Sequence, residues 1–99
     1  MGLREKARDE LCTIRLPGCT GGGPDTVLAH YGGLRFGGGT GYKADDLAGA
    51  HACAFCHDVV DGRKRRPDWM TKVDVRLAHA EGCMETIIRL RSRDAIKVL

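Results

Sequence analysis

Four cysteines in two turn-centred pairs, Cys12 with Cys19 and Cys53 with Cys56, constrain this chain more than any other feature. Pairs so far apart in sequence can share an ion only if the fold brings their two turns together. Structural zinc takes four ligands in a tetrahedron, usually as two close pairs, because one turn can aim two side chains at a single point. Cys53-Ala54-Phe55-Cys56 supplies the closer pair, and the Pro17-Gly18 turn can gather the more widely spaced Cys12 and Cys19. For either pair the alternative is a redox dithiol or two buried thiols. Three cysteines with His57 form a competing ligand set, ranked lower because a residue directly after Cys56 tends to point away from the ion that Cys56 binds. Cys83, left over, reads as a small core residue.

A metal also answers a shortage of core. The chain has 99 residues, the span of one domain (1–99), and no second composition block divides it. It is 42% hydrophobic but only 5% aromatic, and 14 residues are glycine, so packing material is thin and a bound ion is the usual supplement. Five cysteines is an odd count, and Met1 to Glu10 is charged rather than apolar, which argues against a secreted disulfide framework. No apolar run approaches the roughly 20 residues that cross a bilayer, so a cytoplasmic protein without membrane contact is expected.

Residues 1–11 read as an N-terminal basic segment, with Leu3 to Leu11 suited to a short amphipathic helix or an ordered arm. After Cys12, Ile14 and Leu16 alternate with polar neighbours as a strand entering the Pro17-Gly18 turn would. Thr26 to Ala29 is a short apolar run fit for a buried strand, with His30 at its end. Glycine is so frequent over 32–44 that a surface loop is expected, one lacking the terminal Gly-Lys-Ser/Thr of a Walker A loop. Leu47 to Ala54 is small and apolar and delivers Cys53 into its turn, after which Phe55, Val59 and Val60 fit a helix stopped by Gly62. Beyond Pro67 and an N-cap at Asp68, the spacing of Trp69, Val73, Leu77, Ala80, Met84, Ile87 and Ile88 predicts a long amphipathic helix over 68–92. Its apolar stripe is expected to form much of the core, with Gly82 as an interruption costing about 1 kcal/mol relative to alanine. Ala95 to Leu99 suits a terminal strand or a helical tail. The fold class is α+β, a small zinc-stabilised domain with a long C-terminal helix.

A net charge of +3 is too mild to diagnose a partner, but its distribution is uneven. Arg63, Lys64, Arg65 and Arg66 are contiguous, Arg4, Lys6 and Arg8 mark the N-terminus, and Arg89, Arg91 and Arg93 crowd the end of the last helix. Three such clusters can frame a polyanion, although a basic run is by default a solvated loop. Few aromatics argue against single-strand binding by base-stacking platforms.

The series Cys12-Thr13-Ile14-Arg15-Leu16-Pro17-Gly18, Val27-Leu28-Ala29-His30, Asp46-Leu47 and Ala52-Cys53-Ala54-Phe55-Cys56-His57-Asp58 resembles the YbcO-type nucleases of lambdoid phages and prophages, over nearly the whole chain. More broadly it is similar to the zinc-containing HNH, or ββα-metal, arrangement, in which a Cys-x-x-Cys-His element opens a helix. The resemblance implies a metal-dependent endonuclease that hydrolyses DNA phosphodiester bonds. His30 is then the general base that takes a proton from the attacking water, and His57 a ligand of a catalytic divalent cation such as Mg²⁺, distinct from the structural zinc on Cys12, Cys19, Cys53 and Cys56. HNH proteins commonly place aspartate before the first histidine, where this chain has Ala29, so a carboxylate ligand must come from Asp45, Asp46, Asp58 or Asp61. Asp46 sits nearest to the family's middle asparagine. Beside such a nuclease-like turn, Arg63, Lys64, Arg65 and Arg66 are the expected phosphate contacts, made to the backbone of duplex or branched DNA. His51 and His79 are read as structural or exposed, with His51 a reserve ligand. The rival expectations are a non-catalytic zinc module that binds DNA or a recombination partner, and a scaffolding knuckle in a larger complex. An exposed apolar edge on the long helix would suit a homodimer.

Overall fold

Two short runs of mostly small or β-branched residues pair as antiparallel strands, β1 (Val27–His30) and β2 (Gly49–Ala52), with Val27 opposite Ala52 and His30 opposite Gly49. The computed structural model describes residues 2–33, 35, 37–38 and 45–93. Most of the expected loop over 32–44, and all of the expected tail over 95–99, lie outside the described residues. A one-turn helix α1 (Leu3–Lys6) precedes the sheet, and α2 (Ala54–Val60) and α3 (Lys72–Ser92) follow it. The result is a small α+β fold in which the order β1-β2-α2 ends on a long helix.

All four residues of β2 are buried, which is feasible only if the strand edge turned away from β1 finds partners. Two hydroxyls and an amide supply them. The Thr13 amide and hydroxyl both donate to the His51 carbonyl, at 2.8 and 3.1 Å, and the His51 amide donates to Thr86 Oγ1 at 3.0 Å. Thr13 and Thr86 also share a hydrogen bond of 3.1 Å, so the N-terminal loop, the sheet and α3 meet on one buried polar node.

Three expectations need correction. The Cys12–Leu16 stretch is not a strand: Leu11 makes one isolated bridge to Gly22, and Arg15 takes a left-handed φ of 57° that breaks the alternation. Thr13, Ile14 and Leu16 are instead all buried, because the segment wraps round to bring Cys12 inward. The long helix begins at Lys72 rather than Asp68, because Thr71 and Asp74 form a reciprocal capping box, whereas Asp68 pairs with Arg65 at 2.7 Å. The third correction concerns which face is buried. Trp69, Val73, Leu77, Met84 and Ile88 are exposed, Val73 by 75%, while the helix packs inward through Val75, His79, Gly82, Cys83, Thr86 and Leu90.

The middle of that inward face, Gly82, Cys83 and Thr86, is small, and at Gly82 α3 presses closely on the chain beneath it. A Cβ at Gly82 would lie 3.0 Å from Thr13 Oγ1 and 3.2 Å from both Ile14 Cγ1 and the Thr13 carbonyl oxygen. Gly82 is therefore the point of contact rather than a flaw. Gly82→Ala is expected to be nearly neutral, since the gain of about 1 kcal/mol in helix propensity offsets the tight Cβ contact. Gly82→Leu has no room and is expected to lose about 2–3 kcal/mol, read as a lower urea midpoint. Among the described residues no helix is long and apolar enough to cross a membrane.

Candidate metal centre and adjoining cleft

The four cysteine sulfurs converge. Cys12, Cys53 and Cys56 are buried, Cys19 is half-buried, and the four Sγ atoms all lie within 4.8 Å of one another, with Cys19 and Cys53 at 3.8 Å. Zn–S bonds of about 2.3 Å in a tetrahedron set sulfurs about 3.8 Å apart, so the group has the dimensions of a four-thiolate site. Local sequence produces it. Cys53 is the N-cap of α2 and its sulfur accepts the Cys56 amide at 3.4 Å, while Cys19 closes a turn on the Leu16 carbonyl and its sulfur accepts the Gly21 amide at 3.3 Å. Gly18, at φ 96°, lies against the Phe55 ring, where a Cβ would come within 2.4 Å, so the two turns are packed face to face.

No disulfide joins the described cysteines. A hydrogen bond from Cys56 draws the Cys12 thiol down to about 4, and the same contact, with burial, pushes Cys56 up. Cys19 is raised too, chiefly by burial. Four thiolates in so small a space would repel one another, and a cation at their centre would offset that repulsion. Cys83 is separate from the cluster, with its thiol raised to about 11 by burial.

Beside this centre lies a cleft of about 570 Å³ lined by Arg4, Val27, Leu28, His30, His57, Asp61 and Arg63. His30 comes from the last position of β1 and His57 from the first full turn of α2, which Cys53 and Cys56 anchor. His30 Nε2 lies 2.7 Å from Asp46 Oδ1, and Arg4 Nε donates to the same oxygen at 3.3 Å. The His30 contact, then the Arg4 guanidinium, hold the Asp46 carboxyl below the usual carboxylate range. His57 Nε2 lies 3.1 Å from Asp61 Oδ2, one helical turn on, and Arg63 reaches Asp61 at 2.9 Å, Asp58 at 3.0 Å and His57 Nδ1 at 3.3 Å.

The structure thus brings His30 and His57 to one cleft. Asp46 engages His30, and of the four candidate carboxylates Asp61 stands beside His57. The spacing Cys56-His57-x-x-x-Asp61 holds that signal, since side chains four apart share a helix face. Asp45 caps a turn through the Leu47 amide at 2.9 Å. The basic run does not act as one strip. Arg63 turns into the cleft, Lys64 lies over the Phe55 ring, Arg65 meets Asp68, and Arg66 Nε donates to the Met70 carbonyl. Buried His79 donates to the Ala29 carbonyl at 2.8 Å, and burial lowers its pKa. His51 is fully buried with no partner on either ring nitrogen among the described residues, and it stands outside the cysteine group.

Residues 1–95 match the family described as "Putative nuclease YbcO". The chain is 47% identical over 64 residues to the "Putative nuclease YbcO" of Escherichia coli K12 and, to the same degree, to that of Enterobacteria phage 82. Each alignment spans 62% of this chain and 64% of the relative's length. A solved structure described as that of "a putative bacteriophage protein" from Escherichia coli K-12 superposes with a TM-score of 0.71 at 29% identity, over 94% of this chain and all of that one.

Proposed function

The chain belongs to the YbcO nuclease family, and from that premise we propose that it is a metal-dependent endonuclease of the HNH, ββα-metal type that hydrolyses DNA phosphodiester bonds. In this reading residues 1–99 act as one zinc-braced unit, with Cys12, Cys19, Cys53 and Cys56 holding structural zinc. The observation that carries the reading is the common cleft: two imidazoles, from a strand end and from the helix that follows the Cys-x-x-Cys turn, face one space flanked by Arg4 and Arg63.

Each side chain has a task there. Asp46 accepts the Nε2–H of His30, which fixes the tautomer and leaves the Nδ1 lone pair to receive a proton from the attacking water. His57 and Asp61 offer a nitrogen and an oxygen 3.1 Å apart. The two atoms are close enough together that both would reach one small divalent ion. A divalent ion held by His57 and Asp61 would supply positive charge to the scissile phosphate and the leaving oxygen. Arg63, which now neutralises Asp61, is placed to turn towards that phosphate, and Arg4 can bind it from the other wall.

Zinc-loaded protein is expected to nick supercoiled plasmid with Mg²⁺ or Mn²⁺. Asp61→Asn is expected to raise the metal concentration needed by at least the roughly tenfold that losing an outer-shell partner costs. Plasmid nicking titrated with Mg²⁺ checks this, and an unchanged requirement removes Asp61 from the site. A non-catalytic DNA-binding zinc module is the second reading. Ala29 favours it, because the position that HNH proteins commonly give to an acidic ligand is here a buried alanine whose carbonyl anchors His79. DNA binding without nicking under either ion selects that module.

A further inference from the structure

A second pocket, of about 380 Å³, adjoins the cleft, and Asp61 lies in the walls of both. Its apolar side is Val59, Val60 and Val75, and its rim carries five cations: Lys64, Arg65 and Arg66 from the turn after α2, and Lys72 and Arg76 from the start of α3. Four of the five are engaged, Lys64 only by lying over the Phe55 ring at 4.9 Å. Arg65 meets Asp68, Arg66 Nε donates to the Met70 carbonyl, and Arg76 donates to the Gly32 carbonyl at 2.9 Å while stacking on Tyr31. Lys64 and Lys72 have no carboxylate partner among the described residues.

Lys72 is out of place for a helix. It is the first residue of the 21-residue α3, where the macrodipole disfavours positive charge, and Thr71 and Asp74 already cap that end. A cation kept against its own helix, at the mouth of a cationic pocket, calls for an anion. We propose that this pocket is a second phosphate subsite, which takes the phosphodiester next to the scissile one on the same nucleic-acid strand. The inference rests on the nuclease reading, from which the strand enters through the cleft. A strand with its scissile phosphate between Arg4 and Arg63 runs over Asp61 and Gly62 and presents its next phosphate to Lys64 and Lys72. The neighbouring sugar and base then lie against the valine wall.

The probe is a short fluorescein-labelled DNA duplex, its anisotropy titrated with zinc-loaded protein, without added Mg²⁺, from about 50 to about 200 mM salt. Lys72→Gln is expected to weaken binding about five- to tenfold and to lower the slope of log affinity against log salt by about one. Lys64→Gln with Lys72→Gln is expected to lower the slope by about two. Lys72→Arg keeps both affinity and slope. Since removing Lys72 relieves the helix end, the glutamine variant should melt no lower than the parent, which separates lost binding from lost folding. A Lys72→Gln protein that matches the parent in affinity and slope, or a Lys72→Arg protein that loses as much as the glutamine variant, overturns the subsite and leaves the nuclease reading standing. A parent protein that neither binds the duplex nor nicks plasmid overturns both.

Discussion

Cys56→Ser is expected to leave the protein unfolded at room temperature, with near-complete loss of its helical circular dichroism and of bound zinc. Structural zinc in small domains is worth about 10–16 kcal/mol, against a total stability of about 5–15 kcal/mol for an ordinary domain. The argument for so large an effect here is geometric. Cys56 is fully buried between two turns that share no strand pairing, and Cys12 belongs to a loop without regular structure, tied down by the Thr13 node, the bridge from Leu11 to Gly22 and the exposed Arg15–Glu85 pair. Deprived of an ion, four thiols within 4.8 Å of one another keep only weak sulfur hydrogen bonds and the Gly18–Phe55 packing between their turns. Chelation should have the same effect as the substitution, reversed by zinc and not by magnesium. Cys83→Ser, in a cysteine that stands apart from the group, should lose only about 1–2 kcal/mol and keep its zinc. Full melting stability after exhaustive chelation is the result that removes the ion from the scaffold.

What could be read from residues alone divides along physical lines. The cysteine pairing was legible because chemistry restricts what two turn-centred thiol pairs do together, whatever the fold between them. The β1 run ending at His30 and the helix stopped by Gly62, which takes φ 80°, were legible because short apolar runs and helix stops are local signals. The inner face of α3 was not. Periodicity states that Val73, Leu77, Ala80, Met84 and Ile88 share a face, but it does not say which side of the helix that face is on. Here the contact goes to the face whose small residues permit close approach, at Gly82 over Thr13 and Ile14, so the larger apolar side chains remain outside. The pairing of His30 with Asp46 was equally hidden, since it joins a strand end to a turn across 16 positions. Asp61 beside His57 was within reach, because helical spacing alone places it there.

His30→Ala is expected to lower nicking by about 10²- to 10⁴-fold, the range that a general base contributes, while duplex affinity stays close to that of the parent. The histidine is well placed for the role because its surroundings restrict it. Its side chain is only 13% exposed, and Asp46 takes one ring nitrogen at 2.7 Å, which leaves the other for the proton. Asp46→Asn retains a hydrogen-bond acceptor but also offers donors, so the wrong tautomer becomes accessible and a smaller loss follows, on the order of tenfold. If Asp46 works only through His30, the double variant should be no slower than His30→Ala alone, because two residues acting as a unit do not add. Losses that multiply would instead give Asp46 a role of its own, as at a cation. Nicking by His30→Ala at the parental rate removes His30 from the mechanism, and the proton of the attacking water must then go to another group in the cleft.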